Sequence, residues 1–152
     1  MEPVDIVKTA VEVINEGRID DALAFYSESV VQRSPDPDSA GFKVRHGKEA
    51  LRRVLESDIH GETKAVFHYD RLIAGESVVA AQGTNCGYFD GVYVEQPVAL
   101  FFDIEDSRIE AVTIYYDRLA IRRVVEQSPR GTGPGAAADA VNPRRSRETF
   151  GD

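Results

Sequence analysis

The chain has 152 residues, of which 42% are apolar, and this length and composition fit one domain with a sizeable core. Its net charge is −8, and because residues 128–152 contribute +1, residues 1–127 carry −9, which disfavours the positive face that a nucleic-acid partner requires. No run of 18 uncharged apolar residues occurs, and the one cysteine, Cys86, can form no internal disulfide. We therefore expect a cytoplasmic protein with neither a nucleic-acid nor a membrane partner.

The N-terminal third of the chain has helical spacing. Ile6, Ala10 and Ile14 share one face of a predicted first helix, and Leu51 and Leu55 share one face of a third. Pro and Asp cluster between them in a segment that is typical of a loop. The elements predicted in this part are helix 4–15, helix 21–26, strand 29–33, loop 34–42 and helix 47–60.

The pattern then changes to four strands joined by short turns. Asp90-Gly91 is a strong hairpin signal, and Gly75-Glu76 and Ser107 mark the other turns. The predicted strands are 63–73, 77–88, 92–103 and 108–117, followed by a helix at 119–127. Residues 128–152 are rich in Gly, Pro, Ala and Arg, which predicts a mobile tail behind a single folded domain at 1–127.

The hairpin PVALFFDIEDSRIEAVTIYYD, residues 97–117, is the most informative stretch. Large apolar residues occupy both faces of its two strands, whereas a sheet with one solvated face would alternate apolar and polar residues. Each face is therefore expected to bury something: helices, a partner chain or a ligand. Helices followed by a long antiparallel sheet predict an α+β fold.

These pieces resemble the SnoaL-like, or nuclear-transport-factor-2-like, superfamily. The matching segments are INEGRIDDALAFY, HGKEALRRVL and the hairpin that ends in Tyr115-Tyr116-Asp117. The resemblance covers about residues 4–125. It implies a conical barrel in which a curved antiparallel sheet wraps on N-terminal helices, a hydrophobic pocket, and a homodimer formed through the sheet. The fold hosts polyketide cyclases, epoxide hydrolases, ketosteroid isomerases, dehydratases and non-catalytic binders, so it does not by itself give the function.

The catalytic positions implied by the resemblance hold other residues here. The Arg and the two Asp of the epoxide hydrolases fall on Gly83, Asn85 and Ile114. The Tyr and the two Asp of the ketosteroid isomerases fall near Ala10, Ser34 and Ala99. An amide can orient a water but cannot take its proton, and an isoleucine can do neither. If the chain is an enzyme, it uses its own set of polar groups.

Four residues are candidates for catalysis. Asn85 could hold a water or a ligand carbonyl, or satisfy a backbone group. Tyr116 could donate to a developing oxyanion, or be a core aromatic. His60 ends the third helix, where a pocket mouth is expected, but a positive imidazole also suits a helix C-terminus. Asp36 could titrate in an apolar pocket, or only shape a turn.

Further residues are candidates for binding substrate. Arg33 could bind a carboxylate or an enolate, or pair with a neighbouring acid on the surface. Tyr88 is placed at the pocket rim, and Phe102, Val112 and Ile114 are expected to form the apolar lining. The three His residues have no metal-ligand spacing, and the GTGPG segment lacks the context of a phosphate loop, so no metal or cofactor is expected.

The preferred interpretation is a small-molecule enzyme with a hydrophobic pocket. Its work would be acid/base cyclisation, isomerisation, dehydration or epoxide opening on an apolar secondary metabolite. The alternatives are a non-catalytic ligand-binding or dimerisation module, and a pocket that accelerates a reaction by shape alone. A buried ionisable group near Asn85 would favour acid/base chemistry, and a cone filled by its own side chains would favour the dimerisation module.

Overall fold

The computed structural model describes residues 1–128, which form four helices and six strands. No helix in this part of the chain has the length and apolar character needed to cross a bilayer. Residues 129–152, nearly all of the segment predicted to be a mobile tail, lie outside the described residues. The elements in chain order are α1 (Pro3–Asn15), α2 (Ile19–Leu23), β1 (Tyr26–Pro35), β2 (Phe42–His46), α3 (Lys48–His60), β3 (Val66–Ala74), β4 (Val78–Phe89), β5 (Val92–Glu105), β6 (Arg108–Tyr115) and α4 (Arg118–Gln127).

The strands form one curved sheet in the order β2-β1-β6-β5-β4-β3, which confirms the predicted α+β fold. All neighbouring strands are antiparallel except β1 and β6, which run parallel. Hairpins connect β3, β4, β5 and β6 one after another. β1 follows the helices in the chain, and no hairpin connects it to β6, so a tight turn does not set its direction relative to β6. The sheet does not close: β2 and β3 are its two edges, and the predicted barrel is an open half-cone.

Both ends of the loop predicted at 34–42 belong to the strands of a hairpin. β1 continues to Pro35, and Phe42–His46 returns beside it as β2. The tight turn between them was expected from its Pro and Asp residues, and it is closed by the Asp36 amide donating to the Gly41 carbonyl at 2.9 Å. β2 was not predicted because its alternation, with Phe42 and Val44 between polar residues, extends over only five residues.

Alternation divides β5 between two faces. Val98, Leu100 and Phe102 are buried, whereas Phe101 and Asp103 between them are exposed. The buried set packs against Ile6, Val7 and Ala10 of α1 and Leu51 and Leu55 of α3 in one hydrophobic core. The helices therefore cover the concave, inner face of the sheet and leave the convex face open.

A side chain ties α1 to the β3 edge. Asn15 Nδ2 donates to the Phe67 carbonyl at 2.7 Å, and the Phe67 amide donates to Asn15 Oδ1 at 2.9 Å. An edge strand presents backbone groups that no neighbouring strand pairs, and the Asn15 carboxamide satisfies both groups of Phe67. This pair of hydrogen bonds fixes the end of α1 over the mouth of the half-cone.

Gly83 allows β3 to bend. The pairing of β3 with β4 shifts register between Tyr69 and Arg71, and Gly83 pairs with Tyr69 just before the shift. A Cβ at Gly83 would collide with the carbonyl oxygen of His68. Only glycine permits this close approach of β3 to β4 next to the register shift.

Candidate functional site

The inner face of the sheet and the helices enclose a cavity of about 220 Å³. Its lining is contributed by all six strands and by α1, α3 and α4. Most of the lining side chains are aliphatic or aromatic, and a few polar groups converge among them. This composition is typical of a small-molecule site.

Five of the predicted site residues line this cavity: Asn85, Phe102, Val112, Ile114 and Tyr116. The pairing of β5 with β6 sets Leu100 opposite Ile114 and Phe102 opposite Val112, so the apolar lining is one continuous patch of the inner face. Period-two alternation in the hairpin was sufficient to place these residues.

Two predicted binding residues lie elsewhere. Arg33 is absent from the lining because its neighbours Gln32 and Ser34 face the cavity, and alternation turns Arg33 to the convex face. There its guanidinium donates to Thr113 Oγ1 at 3.4 Å. Tyr88 packs edge-to-face on Tyr93, with ring centroids 5.5 Å apart, and the next residue, Phe89, lines the cavity in its place.

His60 and Asp36 also lie outside the lining. His60 is exposed, and its Nε2 lies 3.1 Å from the Gly17 carbonyl, so it connects the end of α3 to the turn after α1. The Asp36 carboxylate accepts hydrogen bonds from the Asp38 amide and from Ser39 Oγ, and these lower its pKa. Neither side chain therefore lies in the cavity wall, and Asp36 shapes its own turn.

Asn85 pairs with Gln96 and both line the cavity, whereas Cys86 pairs with Glu95 and its buried thiol interacts with Tyr93 on the opposite face of the sheet, as alternation requires. Burial raises the pKa of the Cys86 thiol, which therefore stays protonated. Asn85 Oδ1 is buried and accepts no hydrogen bond from any residue between 1 and 128, so the cavity presents an amide acceptor.

The acidic residue of the cavity lining is Asp58, which the sequence analysis missed. It follows Leu51 and Leu55 on the inner face of α3 at positions i, i+4 and i+7, and all three residues line the cavity. Burial raises the pKa of the Asp58 carboxyl to about 6, and Arg45 opposes this shift. An acid at a core position of an amphipathic helix was the available sequence signal.

Arg45 brings a positive charge into the same cavity. It extends from the β2 edge over β1, and its Nη1 donates to Gln32 Oε1 at 3.1 Å and to Ser34 Oγ at 3.3 Å. Gln32, Ser34 and Arg45 all line the cavity. The two hydrogen bonds hold the guanidinium in place and leave its other nitrogens available to a ligand.

Three tyrosines complete the polar part of the lining: Tyr26, Tyr69 and Tyr116. Burial raises the pKa of Tyr69, and the charges of Tyr26 and Asp58 add to the effect. Burial also raises the pKa of Tyr116, which Asp58 raises further and Arg45 and Arg118 oppose. The charge of Asp58 therefore acts on both Tyr69 and Tyr116, and both phenols are neutral hydrogen-bond donors at physiological pH.

Among residues 1–128, no group of three or more His, Cys, Asp and Glu side chains could hold a metal ion. The chemistry that these residues offer is proton transfer by one carboxyl, hydrogen-bond donation by two phenols, and hydrogen-bond acceptance by one amide. The apolar walls exclude water and strengthen each of these interactions.

Comparison with known proteins identifies the family. The model of the SnoaL-like domain matches residues 7–112. The chain belongs to the SnoaL-like domain family. A search of curated proteins found no significant match. In this SnoaL-like chain the carboxyl of the cavity comes from Asp58 of α3, and the last strand contributes the apolar residues Val112 and Ile114.

Solved structures share the fold of this SnoaL-like protein. A nuclear-transport-factor-2-like protein from Burkholderia xenovorans is 21% identical, with a TM-score of 0.66 over 80% of this chain and 93% of that one. The epoxide hydrolase/cyclase-like enzyme SalBIII, described for pyran ring formation in the polyether salinomycin, is 19% identical, with a TM-score of 0.66 over 76% and 90%. A SnoaL-like polyketide cyclase homologue from Shewanella putrefaciens is 13% identical, with a TM-score of 0.66 over 81% and 84%.

The raised pKa of Asp58 predicts a pH-dependent stability. The folded-state pKa of about 6 exceeds the unfolded value near 3.9, so folding opposes ionisation, and stability falls as the pH rises between these values. Asp58→Asn should therefore leave stability unchanged near pH 4 and raise the free energy of unfolding by about 2 to 3 kcal/mol above pH 7. Urea denaturation across this pH range measures the difference.

Glu56→Gln is the matched control, since it changes the same functional group on the exposed face of α3. Its stability difference from the wild type should not depend on pH. A constant difference for Asp58→Asn across the whole range would contradict the buried, titrating carboxyl.

Proposed function

We propose that this protein is a cofactor-independent enzyme that performs acid/base chemistry on an apolar small molecule, with Asp58 as its proton carrier. The reaction class is cyclisation, isomerisation, dehydration or epoxide opening. Membership of the SnoaL-like family supports the cyclase type, and one structural neighbour is an epoxide hydrolase/cyclase-like enzyme. The observation that carries the proposal is a single carboxyl in the cavity lining whose pKa of about 6 allows both protonation states near neutral pH.

In this mechanism the Asp58 carboxylate removes a proton from a carbon acid or from a water in the cavity. Tyr116 or Tyr69 donates a hydrogen bond to the oxygen on which negative charge develops. Protonated Asp58 then returns the proton to another carbon or to the leaving oxygen. A carboxyl with a pKa near neutrality can complete this cycle, since neither its acid form nor its base form is scarce.

Asn85 would orient the substrate. Its buried Oδ1 lacks a donor among the described residues, and a hydroxyl of the substrate would supply one. Phe102, Val112 and Ile114 would hold the apolar body of the substrate against the sheet. Secondary metabolites of modest size match a cavity of about 220 Å³ with such walls.

The alternatives make different demands on the cavity. A pure dimerisation module would fill its cone with its own side chains, and a shape-driven catalyst would have wholly apolar walls. The open cavity and the Asp58 carboxyl in its lining favour acid/base chemistry over both. A non-catalytic ligand-binding module is the outcome that the following experiment separates from an enzyme.

Proton abstraction by Asp58 can be tested with 5-nitrobenzisoxazole, a compact aromatic probe. The carboxylate takes the proton from the ring carbon, the N–O bond breaks, and a coloured cyanonitrophenolate leaves. We expect a rate that rises with pH through about 6 in the wild type. Asp58→Asn should lose on the order of 100-fold or more, the usual contribution of a positioned general base. Phenolate absorbance measures both.

Glu56→Gln controls for the loss of a carboxylate from the same helix, and it should keep the wild-type rate and pH profile. If Asp58→Asn reacts as fast as the wild type, Asp58 is not a base in the cavity. The protein would then be better explained as a ligand-binding module.

We also propose that the protein is a homodimer that buries the convex face of the sheet. Phe42, Val44, Phe101 and Tyr115 are each more than 40% exposed there. The Tyr115 ring meets Phe42 edge-to-face at 5.4 Å between centroids and Phe101 at 5.9 Å. A rigid aromatic cluster on an uncovered sheet face matches the self-complementary contact of a two-fold dimer.

Replacing Phe101 with Lys should make the protein monomeric, because two like charges would face each other across the two-fold axis. Light scattering coupled to size-exclusion chromatography measures the mass. Val124→Lys places the same charge on an exposed apolar position of α4 and should leave a dimer. A wild type that is monomeric at micromolar concentration would overturn the proposed interface.

A further inference from the structure

Two arginines belong to the part of the fold in which β2, Tyr116 and α4 contribute to the cavity lining. Arg45 lines the cavity itself. Arg118 begins α4, one turn before Ile121, which also lines the cavity, and residues three apart share a helix face. Arg118 therefore lies next to the lining. The charges of Arg45 and Arg118 also both act to lower the pKa of Tyr116, which precedes Arg118 by two residues.

The Arg118 guanidinium has an unused buried donor. Its Nη1 is buried and makes no hydrogen bond to any residue in the described part of the chain. A buried charged donor without a partner is costly, so such a group indicates a ligand that supplies the acceptor. This observation is independent of the cavity lining, and it concerns the helix that contributes Ile121 to that lining.

Two carboxylates could pair with Arg118: Asp117, its neighbour in sequence, and Asp36, whose pKa its charge affects. Both already accept other hydrogen bonds. Asp117 accepts hydrogen bonds from the Leu119 and Ala120 amides and caps α4. The Arg118 charge contributes to lowering the pKa of Asp36. The Asp36 carboxylate is exposed, and it accepts hydrogen bonds from the Asp38 amide and Ser39 Oγ within its own turn. Neither forms an ion pair with Arg118.

We propose that this part of the cavity binds an anionic oxygen group of the ligand, a carboxylate or an enolate, through Arg118 and Arg45 with the Tyr116 hydroxyl between them. The inference rests on the proposed small-molecule site and narrows its substrate to apolar molecules that carry one acidic group. Guanidinium forks match the two oxygens of such a group, and a phenol adds a third donor. The apolar body would extend along the lining toward Leu100 and Phe102.

Two sources of negative charge oppose this binding: residues 1–127 carry −9 in total, and the Asp58 carboxyl, which acts on both Arg45 and Tyr116, adds a local charge when it is ionised. Beyond a Debye length of about 8 Å at physiological salt, the field of the total charge is screened, so local contacts decide the preference. The test therefore uses about 0.15 M salt and compares ligands of nearly equal shape.

The probes are 2-naphthoate, which is anionic, and 2-naphthamide, its neutral counterpart. Isothermal titration calorimetry should show that the wild type binds 2-naphthoate at least about 10-fold more tightly than 2-naphthamide. One charge-assisted hydrogen bond provides a difference of this size. Arg118→Gln should remove most of that preference and leave 2-naphthamide binding unchanged, which also verifies that the variant is folded.

Arg123→Gln is the matched control, because it removes the same charge from the exposed side of α4. It should keep the wild-type preference. Equal affinity for the two probes in the wild type, binding of neither, or a preference that survives Arg118→Gln would overturn the inference. None of these results depends on turnover, so they are separate from the test of Asp58 as a base.

Discussion

The whole arrangement depends on one constraint: a strand sends alternate side chains to opposite faces, and the helices cover only one face of this sheet. In β5 the inner set, Val98, Leu100 and Phe102, forms the core and the floor of the cavity. The outer set includes Phe101, which is 42% exposed beside Tyr115. One hairpin therefore supplies both the ligand cavity and the surface proposed for dimerisation, and a shift of register by one residue would exchange them.

The cavity becomes a chemical site through α3. The sheet supplies walls, phenols and an amide, but the titratable carboxyl is Asp58, carried by the helix that closes the cone. Folding holds this carboxyl in an apolar setting that disfavours its ionised form, and Arg45 offsets only part of that cost. The same desolvation has two effects. It lowers the stability of the folded protein when Asp58 is ionised, and it raises the pKa of Asp58 towards neutrality, as a proton carrier requires.

Much of the architecture could be predicted from the sequence, and the parts that could not have physical causes. The period-two pattern of residues 97–117 placed Phe102, Val112, Ile114 and Tyr116 on the inner face. Arg33 was predicted to face the pocket but lies on the convex face. Which side chains of β1 face inward depends on its parallel pairing with β6, and this pairing has no turn signal in the sequence. β2 was missed because an alternating pattern of five residues is too short to stand out beside a Pro- and Asp-rich loop, and Arg45 was missed with it. Asp58 was missed because an aspartate in a helix is usually taken as a surface residue. Its spacing from Leu51 and Leu55 places it on the buried face of α3.

The central claim is that the Asp58 carboxyl titrates near neutral pH inside the cavity. Carbon-13 NMR of the aspartate carboxyl groups, with the Asp58 signal assigned by its loss in Asp58→Asn, measures this pKa directly. The account predicts an apparent pKa of about 6 for this one signal. A value near 4, that of an exposed aspartate, would contradict it, because a carboxyl in that range is neither desolvated nor suited to carry a proton at physiological pH.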